Sequence, residues 1–280
     1  MSKAFVETIF PPKCLKCKRF LIADKSVGAN RSYALHDIKN LEVLDNESVK
    51  SKPLNIRSVE APPLAINDAY SNLLSYFCTT CFMQSRDLSF LRKCEKGFNI
   101  PFSSELSGVG GIASSTYMGM VKEAIHLLKY NGKTVLADPL GFLLFQTFVR
   151  YYYNRPVDFL VPIPLHRLKM MKRGFNQSFL LVRDFRKYWL EWKGLEPPWK
   201  VAPELLVRQR NTKSQTGFNR LQRQENIRGA FAVRKNQKIK DKHIVLVDDV
   251  HTTGTTTIEA AHAILEAGAS SVGVLVVALT

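Results

Sequence analysis

The chain has 280 residues, 45% of them apolar and 23% charged, and carries a formal net charge of +16. That composition excludes a disordered polar chain and allows one large domain plus a small one. The longest apolar stretch, Leu140 to Val149, is too short to span a bilayer, and Lys3 and Glu7 interrupt Met1 to Phe10. A soluble cytoplasmic protein with no membrane insertion is therefore expected.

The N-terminal third is organised by cysteines. Cys14 and Cys17 form a CxxC knuckle with basic flanks, and Cys78 and Cys81 form a second one much later. Four thiolates in two such pairs fit a tetrahedral structural Zn²⁺ site. The long spacer weakens that match, and a redox dithiol or small buried hydrophobes are the alternatives. A disulfide scaffold does not suit a cytosolic chain with five cysteines, and Cys94 has no evident partner. Residues 24–70 scatter Asp, Asn, Ser and Pro without sustained periodicity, which predicts an inserted loop. Residues 70–93 turn periodic and aromatic, as a helix would. This places a cysteine-rich region over 1–110 and a second domain over 111–280.

From Ile112 the pattern is α/β. Ala113 to Tyr117 reads as a strand, and Met120 to Tyr130 as a helix with Val121, Ile125, Leu128 and Lys129 at helical spacing. Asn131-Gly132 ends it. Ala137 to Tyr152 is apolar almost all round, hence a buried helix whose tyrosine cluster serves packing. Asp158 to Ile163 is the next strand. A basic turn follows, with His166, Arg167, Lys169, Lys172, Arg173 and Gly174, and then a helix over Phe179 to Trp189. Residues 205–231 combine Arg208, Arg210, Lys213, Arg220, Arg223 and Arg228 with polar amides and offer little to a core before Phe231. They read as a basic flap able to close over a polyanion or to track single-stranded nucleic acid. Between Leu165 and His243 there are 20 Lys and Arg against 6 Asp and Glu, so most of the excess charge is concentrated here. Such a field attracts pyrophosphate or a nucleic-acid backbone.

The stretch His243 to Thr257, HIVLVDDVHTTGTTT, carries the most chemistry. His243 to Val247 is a buried strand candidate, and Asp248 and Asp249 follow. Thr252, Thr253, Gly254, Thr255 and Thr256 then make a hydroxyl-rich turn. Ile258, Ala261, Ile264 and Leu265 recur as a helix that Gly268 stops. A helix start offers unpaired N–H groups and a positive dipole end, both suited to an anion. Two carboxylates beside it would repel bare phosphate but accept hydrogen bonds from sugar hydroxyls, so the loop reads as a pentose-phosphate site. The plainer alternative is a βα turn whose polar residues only satisfy backbone ends.

This loop resembles the 5-phosphoribosyl-1-pyrophosphate (PRPP) loop of type I phosphoribosyltransferases. The resemblance implies that Asp248 and Asp249 bind the ribose hydroxyls and that Thr252 to Thr256 hold the 5-phosphate. Taken with VPIPLHRLKMMKRGFNQS, RQRNTKSQTGFNRLQRQENIRGAF and the cysteine pairs, the chain resembles ComF-type proteins, which are phosphoribosyltransferase-like and linked to natural competence. The likeness is strong over 112–280 and rests only on cysteines before that. It implies a type I phosphoribosyltransferase fold, a mainly parallel sheet flanked by helices with a flexible hood, plus a small zinc domain. It also implies PRPP and Mg²⁺ as ligands, an unknown acceptor, and pyrophosphate held by the basic turn (His166, Arg167, Lys172, Arg173, Gly174) and flap (Arg210, Lys213, Arg220, Arg223). Two functions remain open: phosphoribosyl transfer, or single-stranded-DNA binding during uptake, with DNA-uptake proteins as partners. Three features depart from the family pattern: the long insertion, Gly97 where a partner for Cys94 would stand, and His251 within the loop. Thr252 stands where purine-salvage relatives carry a carboxylate, so no general base is supplied there.

Overall fold

The computed structural model describes residues 13–16, 18, 76–77, the backbone of 96–99, and residues 110–210, 229–234 and 238–280. Cys17, Cys78, Cys81, Cys94, the 24–70 insertion and, save Tyr76 and Phe77, the helix expected over 70–93 lie outside the described residues. So does most of the flap, with Lys213, Arg220 and Arg223.

The chain enters with β1 (Lys96–Asn99) and β2 (Gly110–Thr116), which pair antiparallel. The boundary read between residues 110 and 111 thus falls within β2, one residue from its start. Then come α1 (Gly119–Asn131), ended by Gly132 in the left-handed conformation, and α2 (Ala137–Tyr152). Strand β3 (Phe159–Pro162) leads into three short helices, α3 (Arg167–Arg173), α4 (Gln177–Val182) and α5 (Phe185–Lys193). A short β4 (Lys200–Val201) follows, and β5 (Leu206–Arg208) pairs antiparallel with β6 (Phe231–Val233). The chain closes with β7 (His243–His251), α6 (Thr255–Glu266) and β8 (Ser271–Leu279). The six-stranded sheet has the order β1-β2-β8-β7-β3-β4, and every neighbouring pair except β1-β2 is parallel. This is the mainly parallel α/β architecture expected.

Both sheet faces are buried, which is why β7 and β8 read as nearly unbroken apolar runs. On β7, Val245 and Val247 pack with α1, α2, α4 and α5, while Ile244 and Leu246 pack with Ala260, Ala261 and Ile264 of α6. Helix α2 follows the expected bounds and is buried from Leu140 through Val149. Its tyrosines serve packing: the Tyr152 ring stacks on Phe148 at 5.6 Å, and burial pushes its hydroxyl up to about 12. Cys14 and Phe77 belong to the same buried cluster as α1 and α2. No helix among the described residues is long and apolar enough to cross a membrane.

Four local expectations need correction. The basic turn is in fact helix α3, ended by Gly174 at φ +81°. The helix read over 179–189 is two helices, interrupted at Arg183-Asp184; Leu181, Val182, Phe185, Tyr188 and Trp189 stay buried at helical spacing across the break, which disguised it. Leu205 and Leu206 are buried, so the start of the flap does build core beside Phe231. Strand β7 runs through the acidic pair to His251, because Asp248, Val250 and His251 still register with β8.

Helix α2 approaches α4 closely. A Cβ at Gly141 would sit 2.6 Å from the Leu181 carbonyl oxygen, a backbone atom that cannot swing away. Replacing glycine by alanine in a helix normally stabilises by up to about 1 kcal/mol, whereas overpacking costs about 1–3 kcal/mol. Gly141→Ala is therefore expected to lower the urea midpoint. A midpoint at or above wild type would show that the two helices separate without cost.

Candidate functional site

In open parallel sheets ligands gather outside the strand C-termini, and here β3 ends against Val247 of β7, just ahead of the acidic pair. The turn after β7 opens a small concavity, lined by Asp248 and by Val250 through Thr257. Gly254 at φ +75° lets the chain reverse into α6, and no side chain caps that helix. Its first-turn amides therefore face the concavity with no acidic residue among them. Thr253 and Thr255 share a hydroxyl hydrogen bond of 2.9 Å, and Thr257 Oγ1 donates to the Gly254 carbonyl at 2.8 Å. Thr252 and Thr253 are exposed, Thr256 is half-buried, and Thr255 and Thr257 are buried.

His251 packs beneath this loop. A Cβ at Gly254 would come within 2.8 Å of its Cε1, and its Nδ1 lies 3.4 Å from Thr257 Oγ1. Burial lowers its pKa, which favours the neutral ring, and the ring acts as a buttress under the turn.

The two acids part company. Asp248 lines the concavity and its Oδ1 accepts from Ser178 Oγ and from the Asp249 amide, each at 2.9 Å. Burial, then the neighbouring Asp249 charge, raise its carboxyl to about 7. Asp249 is 2% exposed and pairs with Lys129 at the end of α1, Nζ to Oδ1 2.8 Å. Its Oδ2 is buried without a hydrogen-bond partner. Burial disfavours the Lys129 ammonium, but Asp249 and Asp248 more than offset that and raise its pKa.

The basic groups sort as sharply. His166 caps α3, its Nδ1 accepting from the Leu168 amide at 3.3 Å. Arg167, Lys172 and Arg210 are exposed. Arg173 hydrogen-bonds Gln177 and lies over the Tyr130 ring at 5.8 Å. Lys169 is the cation that feels two others, Arg208 and Arg173. Burial, then Arg208 and Arg173, lower the Lys169 pKa, and the half-buried Arg208 feels the Asp248 charge. Such a group of positive charges suits an anion. Lys169 and Arg208 were visible only as members of basic stretches. Ser178 gave no signal, while Lys129 stood out as a cation among buried positions of a helical stripe.

Residues 202–279 match the Phosphoribosyl transferase domain model. The chain is 30% identical over 168 residues to the DNA utilization protein YhgH of Escherichia coli, covering 58% of this chain and 69% of that relative. The chain belongs to the ComF family. Among its relatives, this ComF-family chain is 31% identical over 117 residues to Competence protein F of Haemophilus influenzae, covering 41% and 47% of the two chains. It is 29% identical over 153 residues to Competence protein ComFC of Bacillus subtilis, covering 55% and 57%.

For Asp248 the pH dependence follows from its raised pKa. Between the unfolded value of 3.8 and the folded value of about 7, the folded chain holds the extra proton, so stability falls as pH rises through this window. Asp248→Asn keeps the Oδ1 acceptor but cannot ionise. Its melting temperature is expected to exceed that of wild type by an excess that grows across the window and levels off above it. An equal gap at every pH would show that Asp248 ionises in the folded state as it does when unfolded.

Proposed function

We propose that this protein binds PRPP at the β7–α6 turn and transfers or handles its 5-phosphoribosyl group with release of pyrophosphate. The observation that carries this reading is the uncapped, glycine-turned start of α6 beside the Asp248 carboxyl, whose charge reaches Arg208. The α6 amides and the threonine hydroxyls would hold the 5-phosphate. Asp248, and Asp249 once uncovered, would accept from the ribose hydroxyls. The cation group would take the pyrophosphate, aided by the flap beyond Arg210. Mg²⁺ bound with PRPP would offset the charge of the leaving group. In transfer, the bond from ribose C1 to the pyrophosphate oxygen breaks and a bond to the acceptor forms. The oxocarbenium-like state between them is stabilised by positioning and charge. The acceptor is unassigned.

Isothermal titration with PRPP and Mg²⁺ tests the pocket. Arg208→Met is expected to weaken PRPP binding by about tenfold or more, the loss of one charge-assisted contact. No binding to wild type at about 1 mM PRPP would sink the reading.

A second reading is a single-stranded-DNA-binding factor that retains the pocket and uses the basic charge between Leu165 and His243. It draws on the names of the relatives, DNA utilization and competence proteins. It predicts single-strand binding whose affinity falls steeply with salt, and without turnover of PRPP. Pyrophosphate release with a panel of bases would favour transfer instead.

For the cysteines we propose a structural Zn²⁺ held by Cys14, Cys17, Cys78 and Cys81. The Leu15 amide donates to the Tyr76 carbonyl at 3.0 Å and Lys18 N to the Cys14 carbonyl at 2.9 Å. The first knuckle thus turns on itself beside the chain leading into Cys78. Purified protein is expected to hold about one equivalent of zinc; less than about half, with the thiols reactive, would count against the site.

A further inference from the structure

Asp249 poses a problem for any sugar site. It stands next to Asp248, yet it is 2% exposed, does not line the concavity, and its Oδ2 is buried with no donor. The group on its other oxygen is Lys129, whose side chain is 19% exposed. Lys129 is also close enough to Asp248, which does line the concavity, to feel its charge. The next residue, Tyr130, carries Arg173 of the cation group across its ring. Lys129 therefore pairs with one of the two acids and stands one residue from the ring that Arg173 covers. Tyr117, half-buried on the same side, is the other titratable neighbour: burial raises its hydroxyl, and Lys129, Asp249 and Tyr130 all act on it.

We propose that Lys129 is an exchangeable counter-ion of the site: it rests on Asp249 in the empty protein, and a ligand with a phosphate group at ribose C1 draws it off. The ammonium then changes one anionic partner for another, which keeps it paired. Asp249 in turn exchanges the ammonium for a ribose hydroxyl, and its Oδ2 gains reach to a donor. The gain comes only with the anion at C1, so the exchange couples recognition of that group to recognition of the sugar. This rests on the PRPP reading above.

The test compares PRPP with ribose 5-phosphate, which has the sugar and the 5-phosphate but no pyrophosphate. In Lys129→Met, PRPP binding is expected to weaken by about tenfold or more, while ribose 5-phosphate binds as well as to wild type or tighter. Lys129→Arg, which keeps the charge, is expected to restore most of the PRPP affinity. A merely structural tie between α1 and β7 would weaken both ligands in parallel, and that outcome overturns the proposal. Unchanged PRPP binding in Lys129→Met overturns it as well. If Lys129→Met does not fold, Lys129→Gln retains a donor to Asp249 without the charge, and the same two ligands decide. Absence of PRPP binding to the wild type itself would instead remove the reading on which the exchange rests.

Discussion

Two carboxylates on consecutive residues at the buried end of a strand repel one another, and both lose the solvation that stabilises their charge. The chain answers with two different environments. Asp249 receives an ammonium from α1, and Asp248 receives hydroxyl and amide donors and keeps a raised pKa. Removing one member of a largely buried ion pair costs about 3–5 kcal/mol, so α1 is bound to β7 by more than apolar contact. The position of α1 follows from that pair: its C-terminus has to lie over the strand ends, where Lys129 can reach Asp249.

The same constraint shapes the rest of the mouth. With α1 drawn over the strand ends, Tyr130 meets Arg173 at the end of α3. Helix α4 starts where Asn176 both caps it and donates to the Ile163 carbonyl, and that start delivers Ser178 to Asp248. Gly141 and Gly273 permit the close packing of α2 against α4 and of Tyr152 against β8 that supports this arrangement. Thus the polar site depends on a tightly packed apolar layer behind it.

Much of this was legible in the residues. The bounds of α2, the Asn131-Gly132 stop of α1 and the Gly254 turn depend on local pattern and backbone chemistry, which sequence carries directly. The division between α4 and α5 was hidden because their buried positions keep one helical phase. The roles of His166 and His251 were not readable either: one caps α3 and the other supports the turn, and both depend on where neighbouring backbone lies.

The order of elements along the chain determined by itself that a hydroxyl-rich turn would follow a buried strand, that acids would stand beside it, and that the basic excess would lie in the same third of the molecule. The strand end, the acids and the turn are adjacent residues, and adjacent residues stay together in any fold. Only the tertiary structure decided which acid meets the concavity, which cations meet one another, and that Lys129, 120 positions before Asp249, is the partner of that carboxylate. Side chains that far apart are brought together by the packing of α1 across the sheet edge, and nothing in their own neighbourhoods encodes it.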